Sequence, residues 1–150
     1  MRTYLRVGAI IFYKGKLITI KMQKGKSVYY VLPGGGVEDH ETIFNAIKRE
    51  VKEEVNLEIT KIRLVYIREL NIKDKGRGVE FYFYVEEYNG EPKKGFDPEI
   101  KESLFKEMCF VILDELKKLV FHPEQLIDTL KKDKEKNFKE IKHLGLHNYS

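Results

Sequence analysis

The sequence is short of cysteine, proline and tryptophan: Cys109 is the one cysteine among 150 residues, which include four prolines and no tryptophan. A single cysteine cannot form a disulfide within the chain, which excludes a disulfide-stapled secreted scaffold and favours a cytoplasmic location. No apolar run approaches the roughly 18–20 residues that span a bilayer, and none has the pattern of a secretory signal. The composition therefore predicts no contact with a membrane.

The sequence also has no large excess of positive or negative charge. The chain has 28 Lys and Arg against 24 Asp and Glu, a formal net charge of +4. This mild excess favours polyanionic ligands but is too weak to predict a nucleic-acid-binding protein. Because the chain has 150 residues, we expect one domain over residues 1–150, with residues 131–150 as a charged helix end and tail.

Runs rich in β-branched and aromatic residues predict strands through most of the chain. Residues 79–88 alternate in character, with Glu80 and Tyr82 on one face and apolar residues on the other, as in a strand with two different faces. Gly34–Gly36 is predicted as a loop, because three glycines have no side chains to pack. The predicted strands are residues 2–13, 17–20, 28–32, 62–72, 79–88 and 108–113.

A helix is predicted over residues 41–55, a stretch without glycine or proline. Asp39 is its expected N-cap, and Glu41 in the first turn suits the positive end of the helix dipole. Two shorter helices are expected at residues 115–120 and after Pro123. The apolar residues of the first helix recur at spacings of three and four: Phe44, Ile47, Val51 and Val55.

The same helix carries a concentration of negative charge. Glu50, Glu53 and Glu54 fall within an arc of about 100°, next to the apolar arc. Three neighbouring carboxylates repel one another unless a cation or water stabilises them, and such oxygen ligands suit Mg²⁺ or Mn²⁺. The preceding glycines allow the backbone to approach a metal or a phosphate closely. The combination predicts metal-bridged phosphate chemistry, in which the metal polarises phosphoryl oxygens and activates water.

Residues 35–57 follow the spacing G-x5-E-x7-R-E-U-x-E-E-x-G-U, where U is a bulky aliphatic residue. The matching residues are Gly35, Glu41, Arg49, Glu50, Val51, Glu53, Glu54 and Leu57. In this spacing the chain resembles the Nudix hydrolase family. Asn56 replaces the usual glycine, and asparagine is the next most tolerant residue of a left-handed backbone. Leu32-Pro33-Gly34-Gly35 and Asp114-Glu115-Leu116 extend the resemblance to about residues 4–130.

The resemblance implies an α/β fold, an α/β/α sandwich around a central mixed β-sheet. It also implies that the chain cleaves a pyrophosphate bond in a nucleoside diphosphate derivative, with Mg²⁺, or Mn²⁺ in its place, as the cofactor. It assigns the metal to Glu50, Glu53, Glu54 and the carbonyl of Gly34, with Glu99 or Glu102 of a later loop as a further ligand.

Catalytic roles follow from the same resemblance. One of the metal-facing carboxylates or a late-loop carboxylate is the general base, and Glu53 is favoured. Arg49 orients the glutamates by ion pairing, and Glu41 anchors the helix by hydrogen bonding. The implied catalytic set is therefore Glu41, Arg49, Glu50 and Glu53.

The substrate is less well defined. The candidate substrate contacts are Arg6, Arg68, Arg77 and Gly35. The stretch between Pro33 and Pro92 lacks the proline of some ADP-ribose hydrolases of the family, which leaves conversion of a nucleoside triphosphate to a monophosphate and pyrophosphate as the favoured reaction. Two alternatives remain: a non-catalytic nucleotide-sensing module and an RNA 5′-end pyrophosphohydrolase. A homodimer is also open, because dimers are frequent in the family.

Overall fold

The computed structural model describes residues 2–95 and 104–149, which form ten strands, two α-helices and one 3₁₀ helix. None of the helices in these two ranges is long and apolar enough to cross a membrane. The order along the chain is β1 (Arg2–Ile10), β2 (Phe12–Tyr13), β3 (Lys16–Lys24), β4 (Ser27–Val31), β5 (Gly34–Gly36), α1 (Ile43–Val55), β6 (Glu58–Ile72), β7 (Gly76–Asn89), β8 (Leu104–Val111), the 3₁₀ helix (Leu113–Lys118), β9 (Phe121–His122), α2 (Leu126–Glu135) and β10 (Lys142–Tyr149).

A five-stranded mixed sheet, in the order β10-β6-β7-β1-β5, forms the centre of the molecule. β6 and β7 form an antiparallel hairpin, β1 lies parallel to β7, and β10 lies parallel to β6. β5 pairs antiparallel with the outer edge of β1. In the second sheet, β3 pairs with β2, β4 and β8, and β9 lies beside β4. The predicted mixed sheet is confirmed, with this second sheet as an addition.

Helices cover both faces of the five-stranded sheet. Ile47 and Val51 of α1 pack against one face, in the same buried cluster as Phe83 of β7. Leu126 and Leu130 of α2 belong to the cluster on the other face, together with the tyrosines of β6 and β7. β7 therefore has two different faces, one lined by apolar side chains and one that carries tyrosines, as its alternation predicted. The arrangement confirms the predicted α/β/α sandwich.

The predicted start of the first helix is wrong by two residues. α1 begins at Ile43, and its N-cap is Thr42, not Asp39, so Glu41 lies before the helix. Thr42 has an extended backbone, and its hydroxyl accepts the N–H of Asn45 at 3.0 Å. The chain turns at His40, which has a left-handed backbone, and this turn separates Asp39 from the helix.

The prediction for residues 131–150 is right for the helix end and wrong for the tail. α2 ends at Glu135, and residues 142–149 form β10 at the edge of the central sheet. The buried Asp133 accepts the hydroxyl of Tyr66 at 2.5 Å and pairs with Lys142 at 2.5 Å, which ties α2 and β10 to β6. Phe138 is buried and stacks on Tyr84. These long-range contacts hold a segment whose composition alone indicated a frayed end.

Candidate active site

The three consecutive glycines form a short strand, β5, and not the predicted loop. They pair antiparallel with β1. A Cβ on Gly34 would lie 2.0 Å from the carbonyl oxygen of Val7, and a Cβ on Gly35 would lie 2.5 Å from Oε1 of Glu50. Glycine is required here because the backbone of β5 packs directly against both β1 and a carboxylate of α1.

α1 brings its carboxylates close to this glycine strand. Glu50 is 7% exposed and Glu54 is 8% exposed, whereas the side chain of Glu53 is 30% exposed. Oε1 of Glu54 accepts the N–H of Gly34 at 2.9 Å. The carboxylates therefore lie at the margin of the buried face of α1, where charged groups are stable only with polar or charged partners.

Arg49 supplies much of the compensating charge. Its Nε and Nη2 donate to the carboxylate of Glu41 at 2.7 and 2.9 Å, in a bidentate pair. Its Nη1 donates to Glu50 at 2.9 Å and to Glu53 at 3.3 Å, and Nη2 also reaches the carbonyl of Gly36 at 3.1 Å. One guanidinium thus connects the segment before α1, the glycine strand and two carboxylates of the helix.

The same contacts determine the charge states of the two main partners. The hydrogen bonds from Arg49 hold the pKa of the Glu41 carboxyl below its usual range, and the N–H of Glu38 contributes in the same direction. In return, the hydrogen bond to Glu41, followed by those to Glu50, raises the pKa of Arg49 above its usual range. Glu41 and Arg49 therefore form an ionised pair at neutral pH.

A family model described as the NUDIX domain matches residues 3–137. The chain belongs to the Nudix hydrolase family. The ADP-ribose pyrophosphatase of Methanocaldococcus jannaschii is 34% identical over 124 residues, which cover 81% of this chain and 69% of that protein. The 8-oxo-dGTP diphosphatase of Buchnera aphidicola is 32% identical over 95 residues, which cover 63% of this chain and 73% of that protein. The chain spans only 26% of a Danio rerio relative, 8-oxo-dGDP phosphatase NUDT18.

A solved structure confirms the Nudix fold of the chain. The MutT protein of Bacillus halodurans has a TM-score of 0.70 and 20% identity, and the match covers 98% of this chain and 90% of that protein. At this identity the likeness shows the fold alone.

The carboxylates of residues 35–57, the segment that follows the Nudix spacing, have the right chemistry for a hard divalent cation. In the described part of the chain, no three acidic, histidine or cysteine side chains converge closely enough to hold a metal ion. The side-chain arrangement explains this, because Arg49 lies between Glu50 and Glu53 and bonds to both. A cation bound here would require these carboxylates to turn away from the guanidinium.

Asn56, the one residue that departs from the family's spacing, leaves the end of α1 intact. Asn56 is the C-cap, with φ 60° and ψ 33°, and its N–H donates to the carbonyl of Lys52 at 3.2 Å. This left-handed conformation is the one that favours glycine, and asparagine is among the residues that tolerate it best.

The segment after β7 closes the C-terminal end of the same helix. Lys93 N–H donates to the carbonyl of Val55 at 2.9 Å, and Gly95 N–H donates to the carbonyl of Glu54 at 3.1 Å. A Cβ on Gly95 would lie 1.8 Å from the carbonyl oxygen of Glu53. Nothing in the sequence distinguished Gly95 as a site residue. The late carboxylates Glu99 and Glu102, which follow this contact, lie outside the described residues.

Gly95→Ala tests how tightly this contact holds the end of α1. We expect the free energy of unfolding to fall by more than about 2 kcal/mol, because the added methyl overlaps the backbone of Glu53 and one of the two segments must move. Urea unfolding measures the change. Gly25→Ala is the control, since its Cβ meets no atom within 4 Å, although its φ of +59° makes it cost about 1 kcal/mol. A loss no larger than the control's contradicts the prediction.

The candidate substrate contacts separate into two faces of the central sheet. Arg6 is exposed on β1, in register with Gly36. Arg68 is largely buried on β6 and bonds to Glu80. Arg77 pairs with Glu69 at 2.9 Å, and its place in the alternation of β7 puts it on the opposite face from Glu80. Glu80 and His147, which sequence reasoning missed as site residues, are the partners of Arg68.

Proposed function

We propose that this Nudix hydrolase uses Mg²⁺, with Mn²⁺ able to replace it, to cleave the pyrophosphate bond of a nucleoside diphosphate derivative. The observation that carries this proposal is the packing of Glu50 and Glu54 of α1 against the backbone of Gly34–Gly36. Buried oxygen ligands beside a partly exposed glycine backbone suit a divalent cation and a phosphate chain together, since the cation offsets the repulsion between the two sets of negative charge.

The residues of the chain have separate roles in the proposed cleavage reaction. When bound, the divalent ion supplies the polarisation of phosphoryl oxygens and lowers the pKa of the attacking water. Glu53, the most exposed of the three carboxylates, accepts the proton of that water as general base. The water oxygen bonds to one phosphorus, the anhydride P–O bond breaks, and the leaving phosphate departs as an anion. Glu50, Glu53, Glu54 and the carbonyl of Gly34 would hold the ion, and Arg49 orients the glutamates.

We propose a nucleoside triphosphate as the substrate, with the monophosphate and pyrophosphate as products. The name of the Buchnera relative supports a triphosphate, whereas that of the Methanocaldococcus relative makes ADP-ribose the main competitor. The absence of proline between Pro33 and Pro92 favours the triphosphate. Arg6, whose guanidinium makes no hydrogen bond or ion pair in the described part of the chain, is the proposed phosphate contact beside the glycine strand. A cytoplasmic location and a homodimer stay predictions.

A substrate panel tests this proposal. The purified chain is assayed with Mg²⁺ against nucleoside triphosphates, 8-oxo-dGTP, ADP-ribose, dinucleoside polyphosphates and RNA with a 5′ triphosphate, each repeated with EDTA. We expect monophosphate and pyrophosphate from a triphosphate, and a return to the no-enzyme rate with EDTA. Faster turnover of ADP-ribose would contradict the proposed substrate but not the chemistry. Nucleotide binding without turnover would favour the sensing module, and preferred turnover of RNA ends would favour the RNA hydrolase.

A further inference from the structure

A row of polar residues crosses the central sheet in register, starting at the glycine strand. Gly36 of β5 lies opposite Arg6 of β1, Arg6 opposite Glu80 of β7, and Glu80 opposite Arg68 of β6. Residues directly opposite on paired strands share a face of the sheet. Because neighbouring strands are about 4.8 Å apart, Arg68 lies roughly 15 Å from the glycine strand. The row lies on the face of the sheet that α2 covers, whereas the proposed site carboxylates come from α1 on the other face. The row and the proposed cleavage site therefore meet at the glycine strand, which forms the edge of the sheet.

Arg68 is held in this row from two sides. Its Nη1 donates to Oε1 of Glu80 at 2.8 Å, and its Nε donates to Nδ1 of His147 at 2.9 Å. Tyr82 donates to the same oxygen of Glu80 at 2.8 Å, and burial, with the charge of Glu80, raises the pKa of that hydroxyl well above its usual value. Only 12% of the Arg68 side chain is exposed. Two fixed partners determine the orientation of a planar guanidinium, whose Nη2 makes no hydrogen bond among the described residues.

His147 reaches Arg68 because β10 contains a bulge. His143 pairs with Ile67, but Leu146 already pairs with Glu69, so β10 uses one residue more than β6 over this interval. Gly145, with a φ of 104°, lies in the extra turn of backbone. A shift of one residue moves a side chain to the other face of a sheet. Without the bulge, His147 would face away from Arg68.

The strand that supplies His147 lies outside the part of the chain that defines the family. The NUDIX match ends at residue 137, whereas β10 begins at Lys142. β10 is fixed to the sheet by its pairing with β6 and by the contact between Lys142 and the buried Asp133. The bond from Arg68 to His147 thus joins a segment outside the NUDIX match to the face that carries Arg6.

We propose that His147 is a positioning residue for substrate binding: its Nδ1 fixes the guanidinium of Arg68, which contacts an anionic group of the nucleotide at the end of the row away from the glycine strand. The inference rests on the proposed function, because it takes this face as the nucleotide site. Since Arg68 lies three strands from the glycine strand, His147 acts on binding and not on the cleavage step.

Steady-state kinetics of His147→Ala test the role of this side chain. We expect KM for GTP and for ADP-ribose to rise roughly five- to tenfold, with kcat within about twofold of the wild type, as for the loss of a hydrogen bond to a charged partner. His147→Asn places an amide oxygen near the position of Nδ1 and is expected to restore most of the affinity. Asn148→Ala is the matched control, because Asn148 follows His147 on the same strand, is exposed, and contacts Asn71 instead of Arg68.

Equilibrium binding separates this inference from the proposed function. Dissociation constants of GTP and ADP-ribose, measured by calorimetry with Ca²⁺ as the divalent ion in place of Mg²⁺, are expected to rise in His147→Ala by the same factor as KM. If the wild type shows no turnover, the proposed function fails, and the ratio of dissociation constants still tests the role of His147. The inference is overturned if His147→Ala lowers only the melting temperature, if His147→Asn restores nothing, or if Asn148→Ala weakens binding equally.

Discussion

Glu53→Gln is expected to lower kcat by about three orders of magnitude while changing KM little, because general-base catalysis contributes roughly 10²–10⁴-fold. Glutamine keeps the size of Glu53 and can still accept the hydrogen bond from Arg49, which lies 3.3 Å away. It loses the basic carboxylate that takes the proton from water. Initial rates with Mg²⁺ and the best substrate of the panel, followed over pH, measure the effect.

Two comparisons make this experiment specific to Glu53. Glu58→Gln removes an exposed carboxylate just after the same helix and is expected to leave kcat unchanged. Glu54→Gln, which alters a proposed metal ligand, is expected to raise the Mg²⁺ concentration needed for half-maximal rate. A loss of less than about tenfold in Glu53→Gln would contradict its role as general base. The base would then be sought among Glu50 and the late carboxylates.

The parts of the site that the sequence predicted are those set by local spacing. Glu50, Glu53 and Glu54 share a face because one helix carries them, and the helical period fixes their directions. The placing of Arg49 beside these carboxylates has the same origin. In β7, the strand alternation likewise put Glu80 and Tyr82 on one face. These arrangements need no knowledge of the tertiary fold.

The parts that the sequence did not predict depend on contacts between distant segments. The conformational freedom of the glycines of β5 predicted a loop. In the structure they form a strand, and glycine is needed there because Val7 and Glu50 leave no room for a side chain. The N-cap is Thr42 and not the predicted Asp39, because a left-handed turn at His40 separates Asp39 from the helix. β10 was missed because a bulge interrupts its alternation and its partner, β6, lies about 75 residues earlier. Glu99 and Glu102, outside the described residues, stay predictions.

Arg49→Ala is expected to lower the free energy of unfolding at pH 7 by about 2–4 kcal/mol, because it leaves partly buried carboxylates without their cationic partner. Glu41 loses a bidentate pair, and Glu50 and Glu53 lose the charge between them. Mg²⁺ is expected to raise the melting temperature of this variant more than that of the wild type, since a bound cation would replace part of the missing charge. Urea unfolding and thermal melting, with and without Mg²⁺, measure both effects.

The pH dependence of this loss identifies its electrostatic origin. Arg49 lowers the pKa of Glu41 in the folded chain, so the pair stabilises the fold above the ordinary pKa of glutamate and ceases to do so as pH falls through the lowered value. The difference in unfolding free energy between wild type and Arg49→Ala should therefore be largest at neutral pH and shrink below about pH 4. Lys48→Ala, which removes an exposed cation from the same helix, should show no comparable trend. A loss in Arg49→Ala that stays constant down to pH 3 would contradict an electrostatic origin, because protonation of Glu41 should remove the ion pair from the wild type and so reduce the difference. The loss would then come from packing of the arginine stem.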